Sequence, residues 1–280
     1  MRLSLHRPCR DKNLSDGNPL MNAENLMRKV LLGLVFLACL SPVAAASDEE
    51  VFEKSFSMEG VSRISVENVN GPISAQAWDK PYLKVRAVKS ASGSSASETL
   101  RQTEIRVRKV GNEIKIETIS PHRRRLFGFL DLGSRNVRVD YELQVPTAAS
   151  TRLETCNGKV EAAGLSGDSS TDAVNGSIEL RDVEGPVKAT TVNGSVRVAF
   201  KGPFKKARLE TVNGSVEVFF DKTSSVRYDL ETVNGRIEAD FDLSVEGKYG
   251  PKQAKGAYNG GTEPLHCETV NGSIRLKTPA

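Results

Sequence analysis

Thr191-Val192-Asn193-Gly194-Ser195-Val196-Arg197-Val198 reads as a branched pair, an Asn-Gly corner, a small residue and then alternating apolar and charged positions. The chain writes versions of this phrase seven times, centred on Asn70, Asn157, Asn175, Asn193, Asn213, Asn234 and Asn271. From Asn157 to Asn234 the spacings are 18, 18, 20 and 21 residues, and the last gap of 37 is about two periods. Periods near ~20 residues mark solenoids, in which each repeat is one coil that buries its apolar face only against neighbouring coils.

Aligning the copies on their Asn separates inside from outside. Three residues after it stand Ile73, Val160, Ile178, Val196, Val216, Ile237 and Ile274, and five after it Ala75, Ala162, Leu180, Val198, Val218, Ala239 and Leu276. Alternate residues of a strand share a face, so both columns are expected to point into the coil. Between them lie Glu161, Glu179, Arg197, Glu217, Glu238 and Arg275, which are expected to meet water. The column just before the Asn (Val69, Cys156, Val174, Val192, Val212, Val233, Val270) is expected to face inward as well, so that a charge at Val212 would unfold the stack.

The Asn-Gly pair supplies the corner. Gly takes positive φ without penalty and Asn tolerates left-handed geometry. In an isolated hairpin the pair would mean a type I′ turn. Recurring at a fixed phase, it points instead to stacked corners whose Asn amides bond from coil to coil, as in cross-β assemblies. Gly167 and Gly185, each ten residues after a repeat Asn, mark a second corner.

Residues 147–280 hold the regular repeats, and residues 47–146 form a β-rich, less regular part expected to cap the stack. Within it, Tyr82 to Val88, Glu104 to Val110, Glu113 to Thr118 and Asn136 to Val145 alternate as strands. Glu246 to Pro264 is expected to protrude as a loop or hairpin before the last coil.

Residues 1–46 read as a leader. Arg28 and Lys29, the apolar run Val30 to Leu40 and the exit Ala44-Ala45-Ala46 make a secretory signal peptide, with Met21 and Met27 as alternative starts. The run is too short to span a membrane, which takes about 20 apolar residues. Cys39 stands in a poor version of a lipoprotein box. Taking the leader's six basic and three acidic residues from totals of 39 and 35 leaves 33 against 32, so nothing electrostatic favours nucleic acid. Only Cys156 and Cys267 remain, in the first and last regular coils. At ~4.8 Å per coil they lie roughly 25 Å apart, too far for a disulfide, and both are expected to be buried thiols.

Few residues invite chemistry. Three positions before the Asn runs an acidic column, Glu67, Glu154, Asp172, Glu210, Glu231 and Glu268, broken by Thr190. Without the glycine-rich Ca²⁺ nonapeptide it reads as a solvated face neutralised by Lys and Arg, and no metal or cofactor is expected. Asp168, Asp172 and Asp182 are the densest acidic group but match no active-site spacing. His122 and His266 offer little for a triad or zinc site, so no catalytic residue is assigned. The Asn-Gly-Ser sequons belong to the repeat itself. One contact site is singled out: Arg123, Arg124 and Arg125 beside Phe127 and Phe129 form a loop suited to anionic lipid or polysaccharide.

The repeated Thr-Val-Asn-Gly-Ser phrase, with Glu142-Leu-Gln-Val-Pro146 before the first regular coil and Tyr258-Asn-Gly-Gly261 before the last, resembles the bacterial "putative adhesin" domain-of-unknown-function family of envelope β-solenoids. The resemblance covers roughly Val51 to Lys277. It implies a right-handed, single-stranded parallel β-helix exported to the periplasm or cell surface, and it brings no catalytic residues. The expectation is therefore an all-β, non-enzymatic structural or adhesin-like protein with an envelope polysaccharide, lipid or protein as partner. The alternatives are a carbohydrate-active β-helix enzyme and an envelope-stress accessory that binds anionic membrane.

Overall fold

A computed structural model describes residues 48–93, 96–120, 125–126, 130–131, 137–247 and 250–279. The leader, with its signal segment and Cys39, lies outside them. The irregular part comprises β1 (Asp48–Ser57), β2 (Arg63–Asn70), β3 (Ile73–Trp78), β4 (Tyr82–Ala91), α1 (Ala96–Gln102), β5 (Glu104–Val110), β6 (Glu113–Ile119), β7 (Arg125–Leu126), β8 (Leu130–Asp131) and β9 (Val137–Pro146). The repeats then give β10 (Ser150–Asn157), β11 (Val160–Ala163), β12 (Ser169–Asn175), β13 (Ile178–Val183), β14 (Val187–Asn193), β15 (Val196–Phe200), β16 (Ala207–Asn213) and β17 (Val216–Phe219). Last come β18 (Val226–Asn234), β19 (Ile237–Ala239), β20 (Lys252–Tyr258), β21 (Glu263–Asn271) and β22 (Ile274–Lys277).

Each coil contributes one strand to each of two sheets. Sheet I runs β1-β4-β9-β3-β11-β13-β15-β17-β22-β19, and sheet II runs β5-β6-β2-β10-β12-β14-β16-β21-β18-β20. Parallel pairing holds from β9 to β19 in sheet I and from β6 to β18 in sheet II. Antiparallel strands close the ends: β4 and β1 beyond β9, β5 beyond β6, and β20 beyond β18. Exposed parallel edges invite pairing with other chains, and the antiparallel strands cover three of the four ends here. The fourth edge, β19, is only three residues long.

The order departs from a simple solenoid at one place. β21 and β22, the last strands in sequence, lie between β16/β17 and β18/β19. The stretch before them does not merely protrude, because β20 pairs with β18 along seven residues. The charge column of sheet I favours this order. In sequence, Glu238 would follow Glu217 directly; in space Arg275 separates them, 3.2 Å from Glu217 and 3.3 Å from Glu238.

The core lies between the sheets. The columns three and five residues after the Asn are buried, apart from the half-buried Ala239. From sheet II come Val66, Leu153, Thr171, Ala189, Leu209, Cys267 and Leu230, all at 0–1% exposure. The valine column before the Asn is not among them. Val174, Val192, Val212 and Val233 are 39–40% exposed, so the inward assignment of that column is corrected. The residue two before the Asn is the inward one, and strand alternation then turns the next residue out.

That inward position is Thr in most coils, and its buried hydroxyl is satisfied. Thr155, Thr191, Thr211, Thr232 and Thr269 each donate to a corner Gly carbonyl of the adjacent coil, at 2.8–3.2 Å. In the first coil Asn68 takes the place and donates to the Val139 carbonyl at 2.8 Å.

The seven repeat Asn residues lie in file. Asn157 donates to Asn70, Asn175 to Asn157, Asn193 to Asn175, Asn213 to Asn193, Asn271 to Asn213 and Asn234 to Asn271, at 2.8–2.9 Å throughout. Their backbones are not left-handed: among the described residues the positive-φ non-Gly residues are Asp182 and Asn259, and of the repeat glycines only Gly71 has positive φ. Close approach is what requires Gly at this corner. A Cβ on Gly158, Gly176, Gly194, Gly214 or Gly272 would lie 1.8–2.2 Å from the Gly carbonyl oxygen of the next coil. The second corner repeats this, since a Cβ on Gly185 would lie 2.3 Å from the Gly167 carbonyl oxygen.

Cys156 and Cys267 are not joined in a disulfide. Cys267 is buried, which pushes its thiol pKa up, whereas Cys156 sits in the outward column and is only half-buried. Insertion of β21 places the two strands four coils apart, about 19 Å, still far beyond disulfide reach.

Candidate binding face

Outward residues of sheet II form columns along the stack, because strand neighbours are in register. The acidic column reads, in spatial order, Glu117, Glu67, Glu154, Asp172, Thr190, Glu210, Glu268 and Glu231. Beside it, two residues earlier in each strand, stand Lys115, Ser65, Arg152, Ser170, Lys188, Arg208, His266 and Asp229.

Stacked carboxylates ~4.8 Å apart repel one another, and cations of the second column offset this. Arg152 pairs with Glu154, and Arg208 with Glu210, along their own strands. Lys115 Nζ reaches Glu67 at 2.7 Å and Glu117 at 3.1 Å. Burial alone would raise the Glu117 pKa, but Lys115 and Arg108 outweigh it and hold the carboxyl below its usual range. The acidic column is thus a solvated face, neutralised where the second column is basic and less so at Glu268 and Glu231, beside which stand His266 and Asp229.

Three cations on this face have no ion-pair partner among the described residues. Arg63, Lys188 and Lys206 are exposed around a shallow groove of about 830 Å³, which Lys115, Arg152 and Arg208 also line. Lys188 stands beside Thr190, the one break in the acidic column. Glu113, opposite Arg63, and Asp168 line the groove as well and also lack ion-pair partners among the described residues, so three unpaired cations face two unpaired carboxylates there.

Sheet I presents a more self-contained exterior. Lys159 bridges Glu161 at 2.5 Å and Glu179 at 2.7 Å, and Arg197 meets Glu217 at 3.4 Å. The Lys159 hydrogen bond holds the Glu179 pKa below its ordinary value of 4.5.

The structure separates the acidic group noted in the sequence. Asp172 lies on β12 of sheet II with Asp168 just before that strand, whereas Asp182 is on β13 of sheet I. Of the arginine–phenylalanine loop, Arg123, Arg124, Phe127 and Phe129 lie outside the described residues, as does His122. Arg125 falls in β7, whose backbone runs antiparallel to β8 with Arg125 in register with Asp131. The sequence reading named His266 but gave it no role; β21 carries it between Arg208 and Asp229. A spatial order that differs from chain order hides that neighbourhood.

Two parallel sheets built from stacked, Asn-cornered coils define a β-solenoid-like class. The Toastrack DUF4097 family matches residues 57–277, and the chain belongs to it. No curated protein matches. Among solved structures the chain is similar to a "putative cell adhesion protein" from Clostridium sporogenes, at 16% identity over 84% of this chain and 100% of that one, with a TM-score of 0.45. A "putative adhesin" from Bacteroides fragilis follows at 11% identity, 81% and 97% coverage and a TM-score of 0.37. A "putative lipid binding protein" from Parabacteroides distasonis gives 14% identity, 83% and 97% coverage and a TM-score of 0.31. Among the described residues no helix is long and apolar enough to cross a membrane.

Proposed function

We propose that this is an exported, non-enzymatic binding protein of the bacterial cell envelope, and that the groove on sheet II is its contact face for an acidic polysaccharide. The observation that carries the reading is the set of three cations, Arg63, Lys188 and Lys206, left without ion-pair partners around one groove. Sugar carboxylates spaced along a chain suit cations presented by different coils of one face at multiples of ~4.8 Å. Export rests on the leader of residues 1–46. A right-handed single-stranded coil is the hand expected of parallel crossovers. A second contact at Arg123, Arg124, Arg125, Phe127 and Phe129 rests on the sequence alone.

Biolayer binding of the protein to immobilised alginate, with neutral dextran as control, tests the reading at low and high salt. Binding to alginate alone, weakened by salt and at least tenfold by Lys188→Glu with Lys206→Glu, is expected. Binding that is absent, or equal in the double variant, removes the groove as the contact. New reducing or unsaturated ends after incubation with alginate would make the protein an enzyme. Retained binding in an Arg123/Arg124/Arg125→Ala variant would set that loop aside.

A further inference from the structure

We propose that Glu210, His266 and Glu268 bind one divalent transition-metal ion of the zinc type. One ligand atom from each lies within 4.8 Å of the others. They come from two adjacent strands, Glu210 from β16 and His266 with Glu268 from β21, where Glu210 is directly opposite Glu268. His266 and Glu268 are two apart on one strand and therefore share its outward face.

The imidazole is what singles this cluster out from the rest of the acidic column. His266 Nε2 is shut off from solvent and has no hydrogen-bond partner. A buried polar nitrogen without a partner carries a desolvation cost that a metal bond would remove. Nε2 faces Glu268 Oε2 at 3.8 Å, too long for a hydrogen bond. Donor atoms around tetrahedral zinc, with bonds of about 2.0–2.1 Å, stand about 3.3 Å apart, so small side-chain rotations close the set.

The other ring nitrogen is also provided for. His266 Nδ1 faces Asp229 Oδ2 at 3.9 Å, also longer than a hydrogen bond but closed by the same small rotations, and Asp229 Oδ1 is likewise buried without a partner. A carboxylate behind a ligating histidine fixes the tautomer that presents the opposite nitrogen to the metal. Asp229 is therefore a positioning residue, brought into place only because β21 lies between β16 and β18.

Charge and donor type favour the same ion. Four carboxylates gather here, Glu210, Glu268, Glu231 and Asp229, against two nearby cations. Arg208 holds one oxygen of Glu210 and leaves the other available, while Lys255 lies 3.3 Å from Asp229 and 3.8 Å from Glu231. A nitrogen donor among carboxylates suits zinc and its neighbours better than calcium or magnesium, which take oxygen. Glu268 is solvent-exposed, so an ion has a way in.

The test uses the protein purified without a polyhistidine tag and stripped with EDTA. Zinc chloride titrated in a calorimeter is expected to bind at one ion per chain. Cobalt(II) is expected to give the visible absorption of a four-coordinate N/O site. His266→Ala and Glu268→Gln should each weaken zinc at least tenfold, while His122→Ala binds as the parent does. Zinc should raise the melting temperature of the parent but not of His266→Ala, and in EDTA the two should melt alike. Should His266→Ala fail to fold, His266→Gln keeps the volume and is expected to lose zinc in the same way. No zinc heat at 0.1 mM, or full binding in the His266 variants, overturns the proposal.

Discussion

Asn271 donates its side-chain amide to Asn213 Oδ1 at 2.8 Å across 58 residues of sequence, while Asn234, the next repeat Asn after Asn213, bonds Asn271 instead. The ladder therefore follows space and not the chain. The four corners at Asn193, Asn213, Asn234 and Asn271 share the same Thr-Val-Asn-Gly sequence, so these coils can dock on one another interchangeably, and outward charge helps decide which do.

Replacing Asn193 by Ala removes two ladder bonds, one to Asn175 and one from Asn213. Each such bond contributes about 0.5–1.5 kcal/mol net, so a loss of about 1–3 kcal/mol is expected in urea unfolding. An unchanged midpoint would mean that water serves these exposed amides equally well.

Glycine at the corner is tested by contrast. A Cβ on Gly194 would stand 2.2 Å from the Gly176 carbonyl oxygen, so two coils must part to admit it. Gly202 has φ of +75° but open space around it. Gly194→Ala is expected to cost about 2–3 kcal/mol as overpacking, and Gly202→Ala about 1 kcal/mol as backbone strain. The reverse ranking in thermal melts would mean that conformational freedom, not space, selects Gly at Gly194.

Val212 is 39% exposed, whereas Leu209, three residues earlier, is fully buried. Val212→Asp is therefore expected to stay within about 1 kcal/mol of the parent, and Leu209→Asp to prevent folding by burying an unpaired charge. Far-UV circular dichroism during heating separates the two outcomes.

Arg275 lies between Glu217 and Glu238. Arg275→Glu puts three carboxylates in a row and is expected to cost about 1 kcal/mol, less at high salt. Were β18 and β19 docked directly on β16 and β17, the substitution would fall at the edge of the column and matter less.

The Glu179 pKa lies below 4.5 when folded because of Lys159. A depressed carboxylate contributes stability that is complete above 4.5 and is lost as pH falls through the lower, folded value. Lys159→Met should flatten that acid loss relative to the parent in denaturation curves taken below pH 5.

Much of this was legible because a period near twenty residues with a fixed corner is a strong signal. The inward columns at Ile178 and Leu180 and the Asn file follow from period two and from the recurring phase. Misreading Val212 as core came from judging the residue by its hydrophobicity. Thr211 beside it looks polar but is buried, with its hydroxyl bonded to the Gly194 carbonyl. The position of β21 was not legible, since a gap of two periods says nothing about which neighbour the next coil chooses. The environment of His266 was hidden for the same reason.

The clamped position of residues 263–277 also has a mechanical consequence. A force applied beyond Lys277 cannot peel the stack one layer at a time, because two flanking layers grip that segment on both sheets. Extraction must shear four strand interfaces together, whereas an outermost coil would unzip progressively. The sequence order thus turns an otherwise brittle end into a bolt.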